Sequence, residues 1–415
     1  MIGRRIGAVC LVFAGIVPAA AQSGVPLRSM LREAYNLVKK EYYDPAYHGV
    51  DWDARFQEFD ARMRAASAVN AGLGVIAEFL SALKDSHTYF LPPSRPFEHD
   101  YGYRLRIIGE KTYIASVIAG TDAAGKVAPG DEVISMNGFV PSRETLFTVE
   151  YILNALAPLE SIELVLRNPA GSVRKLVVNA RITEKPKRNI DREPWAIYRT
   201  KDTRTPHRLV SLGDVLVWSM PDFVAEDRDL DGVWGRARQH RAVILDLRGN
   251  GGGYVTAMKR MVANVLNRDV TVYNRVTRKG SLPESVKSRK DDVFGGELVV
   301  LVDSWSASAA ELFARIVQIE RRGTVIGDRT AGAVMQARYF EGESRQLDYG
   351  FLVTDANLIM LDGKSLENTG VVPDQTILPA AADLAAGRDP VLSQAARRLG
   401  LDLDPVAAGK LYDKK

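Results

Sequence analysis

Cysteine is almost absent: the 415 residues contain one, Cys10. It falls in a leader segment, so a mature chain would have no thiol. A disulfide framework, a thiolate metal site and a cysteine nucleophile are excluded with it. Net charge is small, +4, and no basic run interleaves with aromatic residues. Nucleic acid is therefore not expected as a partner. Histidine is scarce, five in all, and none forms an H-x-x-x-H zinc pattern. No stretch matches G-x-x-x-x-G-K-[ST] or G-x-G-x-x-G, which removes the usual nucleotide cradles. Neither metal nor cofactor is expected. What remains is a composition of globular type, 46% hydrophobic and 26% charged, long enough for two or three domains.

The N-terminus reads as an export signal. Arg4 and Arg5 form a basic start, Ile6 to Val17 an apolar stretch too short to span a bilayer comfortably, and Pro18 to Gln22 a small-residue cleavage site after Ala21. A periplasmic or secreted location follows, with no integral membrane segment after cleavage. A retained membrane anchor is the competing reading.

Behind residues 1–21, a helical domain is expected over 22–98. Leu27, Met30, Leu31, Tyr35 and Val38 share a helical face, and Trp52 to Met63 and Leu73 to Leu83 repeat the pattern. The last helix runs out at Lys84-Asp85-Ser86-His87, which puts His87 on a loop. Short alternating strands with turn signals fill 99–183, interrupted by one helix near Thr148 to Leu156. A linker is expected over 184–208. Residues 209–385 read as α/β. Ala242 to Leu247 and Leu298 to Val302 are continuous apolar runs of the buried parallel type, each followed by a small-residue loop and a helix. A helical tail closes the chain over 386–415. Sites in parallel sheets lie beyond the carboxyl ends of the strands, and both loops occupy that position.

The first loop is Gly249-Asn250-Gly251-Gly252-Gly253, and the second contains Ser304, Ser306 and Ser308 before Ala309. A serine at a strand-to-helix junction stands among helix N-terminal amides, which suit an oxyanion. The same serines could equally be helix N-caps, and the glycines an ordinary loop.

Taken together the segments resemble the S41 peptidases, the carboxy-terminal processing proteases and the tricorn protease core. The resemblance rests on Glu41-Tyr42-Tyr43-Asp44, Val50-Asp51-Trp52, Ala128-Pro129-Gly130-Asp131, Asp246-Leu247-Arg248-Gly249-Asn250-Gly251-Gly252, Ser306 to Glu311 and Gly370-Val371-Val372-Pro373-Asp374. It implies a multidomain α/β fold: a helical N-terminal domain, a PDZ-like module, and a ClpP/crotonase-like catalytic domain with a mainly parallel sheet. It implies Ser308 as nucleophile, with Ser306 as fallback, and an oxyanion pocket from Gly251 or Gly252 together with Ala309.

The lysine that activates serine in the processing proteases is missing, since Ala333 stands at its place in Thr330-Ala331-Gly332-Ala333. The tricorn-like branch uses histidine instead. Its pattern maps onto His87 as base, Ser86 on the other ring nitrogen, and Glu367 orienting that link, with the logic of a triad. The PDZ-like module implies a backbone nest for a peptide carboxylate at Tyr101, Gly102, Tyr103 and Arg104. Polypeptides are then the expected partners, bound in part through their C-termini. A binding protein that has lost catalysis and a serine esterase are the alternatives.

Overall fold

The computed structural model describes residues 26–184, 207–343 and 347–412. The expected leader over 1–21, with Cys10, and most of the expected linker over 184–208 lie outside them.

Three helices open the described chain: α1 (Leu27–Glu41), α2 (Trp52–Ala65) and α3 (Val69–Ser81). In α1, Met30, Leu31, Ala34 and Val38 are buried, the i, i+3, i+4 stripe of a helix packed on one side. Asp51 caps α2 by accepting the N–H of Ala54 at 2.9 Å. Helix α3 starts four residues earlier than its apolar pattern suggests, and takes in Gly72. That glycine is a packing residue: a Cβ there would lie 2.5 Å from Leu27 Cδ1, so its absence lets the start of α1 approach. The three helices do not close a core alone. Trp52, Phe59 and Phe79 share one apolar cluster with Phe351 and Val353 of a distant strand and with Tyr349 just before it.

That strand is β17 (Gly350–Met360). It pairs antiparallel with β1 (Tyr89–Leu91), β12 (Val270–Thr277) and β16 (Met335–Glu341), and β13 (Gly280–Val286) extends the sheet beyond β12. None of this sheet was expected from sequence. The register Tyr89↔Leu352 fixes the segment that follows His87 against the sheet.

A short ribbon of β2 (Phe97–Asp100) and β8 (Arg181–Glu184) brackets an antiparallel module. Its strands β3 (Tyr103–Ile108), β4 (Lys111–Val117), β5 (Glu132–Met136), β6 (Ser161–Arg167) and β7 (Val173–Asn179) lie side by side in chain order. Leu105, Ile107, Leu164 and Leu166 fill its core with Leu146 and Val149 of α4 (Leu146–Tyr151). The expected helix runs on past α4 as one π-helical stretch, Ile152–Leu156. The module is pinned to the rest of the chain. Arg143 donates to Asp328 at 2.7 Å, to Gly109 O and to Arg329 O. Ser304 Oγ donates to Ile107 O at 2.8 Å.

The last sheet is six-stranded, in the order β18 (Gln375–Thr376), β15 (Thr324–Gly327), β14 (Glu297–Val302), β11 (Ala242–Asp246), β10 (Val215–Ser219), β9 (Arg208–Leu212). All neighbours pair parallel except β9 with β10. Alternate residues serve two cores. Val243 and Leu245 face a cluster with α5 (Asp227–Ala237), α6 (Val255–Val265) and α7 (Ala309–Ile319), while Ala242 and Ile244 face α9 (Pro390–Arg398). The short helices α8 (Ala381–Ala385) and α10 (Pro405–Gly409) flank α9. Both faces of a parallel sheet must be covered, which is why β11 and β14 read as unbroken apolar runs.

Just past β11, Arg248 forks between two carboxylates. Its guanidinium meets Asp246 at 2.7 and 2.9 Å and Asp389, the cap of α9, at 2.7 and 2.9 Å. Burial opposes its charge, and the two carboxylates more than restore it, raising its pKa further above the ordinary value. Replacing it would leave Asp246 and Asp389 facing each other without a cation. Arg248→Met is therefore expected to lower unfolding stability by about 3–5 kcal/mol, measured by urea denaturation. A midpoint at the wild-type value would show that the pair is hydrated rather than paired.

Candidate active site

Ser308 stands where β14 hands over to α7, as the residue that caps the helix. Its backbone has φ 54° and ψ −116°, a conformation that L-residues adopt under constraint and that clusters at functional sites. The constraint is visible. Ser308 N–H donates to Ala333 O at 2.9 Å and to Glu311 Oε2 at 3.0 Å. Glu311 is fully buried and its carboxylate also accepts from Thr330 Oγ1, Gly332 N–H and Ala333 N–H at 2.5–2.9 Å. Burial pushes its pKa up to about 7, against the pull of those donors. One carboxylate thus ties the serine turn to the loop that follows β15.

Ser306, by contrast, is committed to structure. It is wholly buried, donates to Leu247 O at 2.8 Å and accepts from Asp303 N–H at 3.0 Å. That removes it as the fallback nucleophile. Ser308 is half-buried.

The glycine loop passes directly over the serine. A Cβ on Gly252 would lie 2.7 Å from Ser308 Cβ and 3.1 Å from Ala309 N. Gly252 has φ +95° as well, so only glycine fits there. Its own N–H is taken, donating to Asn250 Oδ1 at 2.8 Å, which corrects the expectation that Gly252 could donate to an oxyanion. Among the described residues, the N–H groups of Gly251 and Ala309 have no hydrogen-bond partner. Asn250, which the sequence reading passed over, sets this arrangement; its side chain also donates to Met220 O at 2.9 Å.

His87 arrives from the helical part. It is 2% exposed, and Ser86 Oγ lies 2.7 Å from its Nδ1. Ser86 Oγ–H donates to Glu367 Oε2 at 2.9 Å, and Ser86 N–H donates to Glu367 Oε1 at 2.7 Å. Since the Ser86 proton goes to the carboxylate, its oxygen is left to accept. Nδ1 must then carry the imidazole proton, and Nε2 keeps its lone pair. Glu367 Oε2 also accepts Val334 N–H at 2.8 Å. Val334 follows Ala333, whose carbonyl holds Ser308. Two consecutive residues therefore join the serine turn to the histidine relay.

Burial lowers the His87 pKa to about 4, with Asp85 opposing. Burial raises Glu367 to about 7, against the donors around it.

The peptide nest expected at Tyr101–Arg104 is already filled. Gly102 N–H and Arg104 Nη1 both donate to Asp100 Oδ1, at 3.0 and 3.1 Å. Tyr101 and Tyr103 are buried in the module core, and the Tyr101 hydroxyl is bonded to Leu159. The carboxylate in this loop belongs to the chain itself, because Asp100 sits two residues before Gly102 and can turn back onto it.

Residues 214–377 match the family model described as peptidase family S41, and residues 27–79 match the tricorn protease C1 domain. Residues 214–377 are thus an S41 peptidase segment. That segment contains Ser308, Gly251 and Glu367, whereas His87 lies outside both matched ranges. A Streptomyces coelicolor protein named as a tricorn protease homolog is 26% identical over 91% of this chain and 32% of its own length. Carboxyl-terminal-processing peptidase 3, chloroplastic, of Arabidopsis thaliana is 25% identical over 75% of this chain and 62% of its own. The chain thus spans less than two thirds of either relative. Mature CPAF has the same fold, with a TM-score of 0.66 at 14% identity, covering 86% of this chain and 94% of that one.

The contact between Gly252 and Ser308 is directly testable. Gly252→Ala should push the serine turn out of place and lower kcat by roughly a hundredfold, the cost of a misplacement near 1 Å. Steady-state kinetics at wild-type-like melting temperature would check this. An unaffected kcat would mean the loop yields freely.

Proposed function

We propose that the protein is an exported serine endopeptidase that hydrolyses polypeptides through an acyl-enzyme. The observation that carries this reading is the relay Glu367–Ser86–His87, oriented so that His87 Nε2 is a proton acceptor, and tied through Val334 and Ala333 to the strained Ser308. Ser308 Oγ attacks the scissile carbonyl carbon while Nε2 takes its proton. The carbonyl oxygen becomes an oxyanion facing Gly251 N–H and Ala309 N–H. On collapse the C–N bond breaks, and the imidazolium returns the proton to the leaving amine. Water then repeats the sequence against the acyl ester, with His87 as base again. Ala333 contributes no base.

Polypeptides as the substrate class are supported by relatives named for carboxyl-terminal processing. Export rests on the leader pattern over 1–21. The antiparallel module of β3–β7 is read as PDZ-like. Its role here is to brace the nucleophile loop: Ser304 bonds its edge strand, and Trp305 packs against its core.

A fluorophosphonate is expected to label the wild type and neither Ser308→Ala nor His87→Ala, and a peptide-against-ester panel separates endopeptidase from esterase. Labelling of Ser308→Ala at another residue would sink the assignment.

The pH profile adds a second check. The active relay needs Glu367 ionised and His87 neutral. As pH falls through about 7, Glu367 gains a proton and Ser86 loses its acceptor, so kcat/KM should drop in part. As pH falls through about 4, His87 protonates and activity should vanish. Glu367→Gln should lower the plateau and shrink the upper step to the part owed to Glu311, whose carboxyl is also pushed up to about 7. A single step near 6.5 in both proteins would contradict the buried relay.

A further inference from the structure

The loop that presents His87 is organised by a residue without a role in the reading above. Asp85 Oδ1 accepts three hydrogen bonds: from His87 N–H at 2.9 Å, Thr88 N–H at 2.7 Å and Thr354 Oγ1 at 2.8 Å. These join the histidine backbone to strand β17. Asp85 Oδ2 is different. It is buried and has no hydrogen-bond partner among the described residues. Beside it lies the buried Tyr42 hydroxyl, whose pKa burial raises well above the ordinary value, with the Asp85 charge and a weak hydrogen bond to that carboxylate adding to the rise.

A buried carboxylate oxygen with no partner is costly, and such groups in native structures call for an explanation. The proton transfer supplies one. When Ser308 loses its proton, His87 becomes a cation inside a nearly closed pocket. Glu367 is one residue removed from the ring, acting through Ser86, and its own charge is spread over three donors. Tyr42 and Tyr43 from the end of α1, with Asp44 beside them, and Thr354 from β17 complete the surroundings. Glu311 reaches this corner only through the backbone of Ala333. Two further groups meet the tyrosines: Arg278 Nε donates to Tyr42 O at 2.7 Å, and the His48 ring packs edge-on against Tyr42 and Tyr43.

Resting on the peptidase reading, we propose that Asp85 is a positioning residue for His87 whose carboxylate charge also stabilises the imidazolium formed in the transition state. A charge that acts only on the protonated ring lowers the barrier without tightening substrate binding, so it shows in kcat and not in KM. It also holds the acid limb of the profile higher than burial alone would place it, since the Asp85 charge opposes burial at His87.

The test is Asp85→Asn, which keeps an oxygen for the three donors and removes the charge. The expected result is a kcat about tenfold lower at unchanged KM and melting temperature, with the acid limb displaced downward by about one pH unit. Wild-type kcat with an unmoved limb would overturn the proposal. So would a loss of rate that follows a loss of folding with the limb in place, since Asp85 would then be only a loop staple. Fluorophosphonate labelling of the wild type at Ser308 separates this outcome from failure of the peptidase reading itself. If that labelling is absent, the reading fails, and NMR titration of the His87 ring in both proteins still decides the inference. A titration that does not move between them refutes it.

Discussion

The arrangement depends on one half-buried carboxylate, that of Glu367. It accepts from Ser86 and Val334, and Ser86 lies 281 positions earlier in the chain. Remove that acceptor and two things fail together. The Ser86 hydroxyl loses its direction, so the imidazole tautomer is no longer dictated. The loop carrying Ala333 and Val334 loses its tie to the helical part, so the nucleophile turn and the base are no longer held to a common reference. The carboxylate is kept where burial makes charge expensive, and the donors around it offset that cost.

The helical part is consequently not an appendage. Its aromatic core is completed by Tyr349, Phe351 and Val353, and β1 is a strand of the same sheet. His87, the proposed base, is delivered by an element that cannot fold away from the sheet without exposing that core. The antiparallel module is joined on the other side of the nucleophile, through Arg143–Asp328 and Ser304. Ser308 thus sits between two rigid supports, which is what tolerating φ 54° at a serine requires.

Much of this was legible in the sequence, and the limits have physical reasons. Strands β11 and β14 announce themselves because both faces are buried. Helix α7 announces itself through its small-residue start. The sheet of β12, β13, β16 and β17 did not, because β13 is largely exposed and β16 mostly half-buried, and neither shows a clean alternation. The start of α3 was missed because Gly72, a poor helix former, is there for packing. Ser308, His87, Ser86 and Glu367 could be named by resemblance, but Asp85 and Asn250 could not, since backbone hydrogen bonds leave little trace in residue order. The Asp-x-x-Thr spacing of Asp85 and Thr88 was the one available hint, a capping-type signature. The filled nest at Gly102 was invisible for the same reason: only the folded chain shows that Asp100 turns back.

Glu311 grips Thr330, Gly332 and Ala333 mostly by their main-chain amides, and Ala333 in turn holds Ser308 by its carbonyl. The side chain at 333 takes no part in that scaffold. A lineage could therefore exchange the residue there, trading a lysine for an alanine, without moving the serine. The chemistry of activation can be handed from one loop to another while the nucleophile stays put. In this chain the main chain preserves the geometry, and the side chains are left free to change the reaction's proton acceptor.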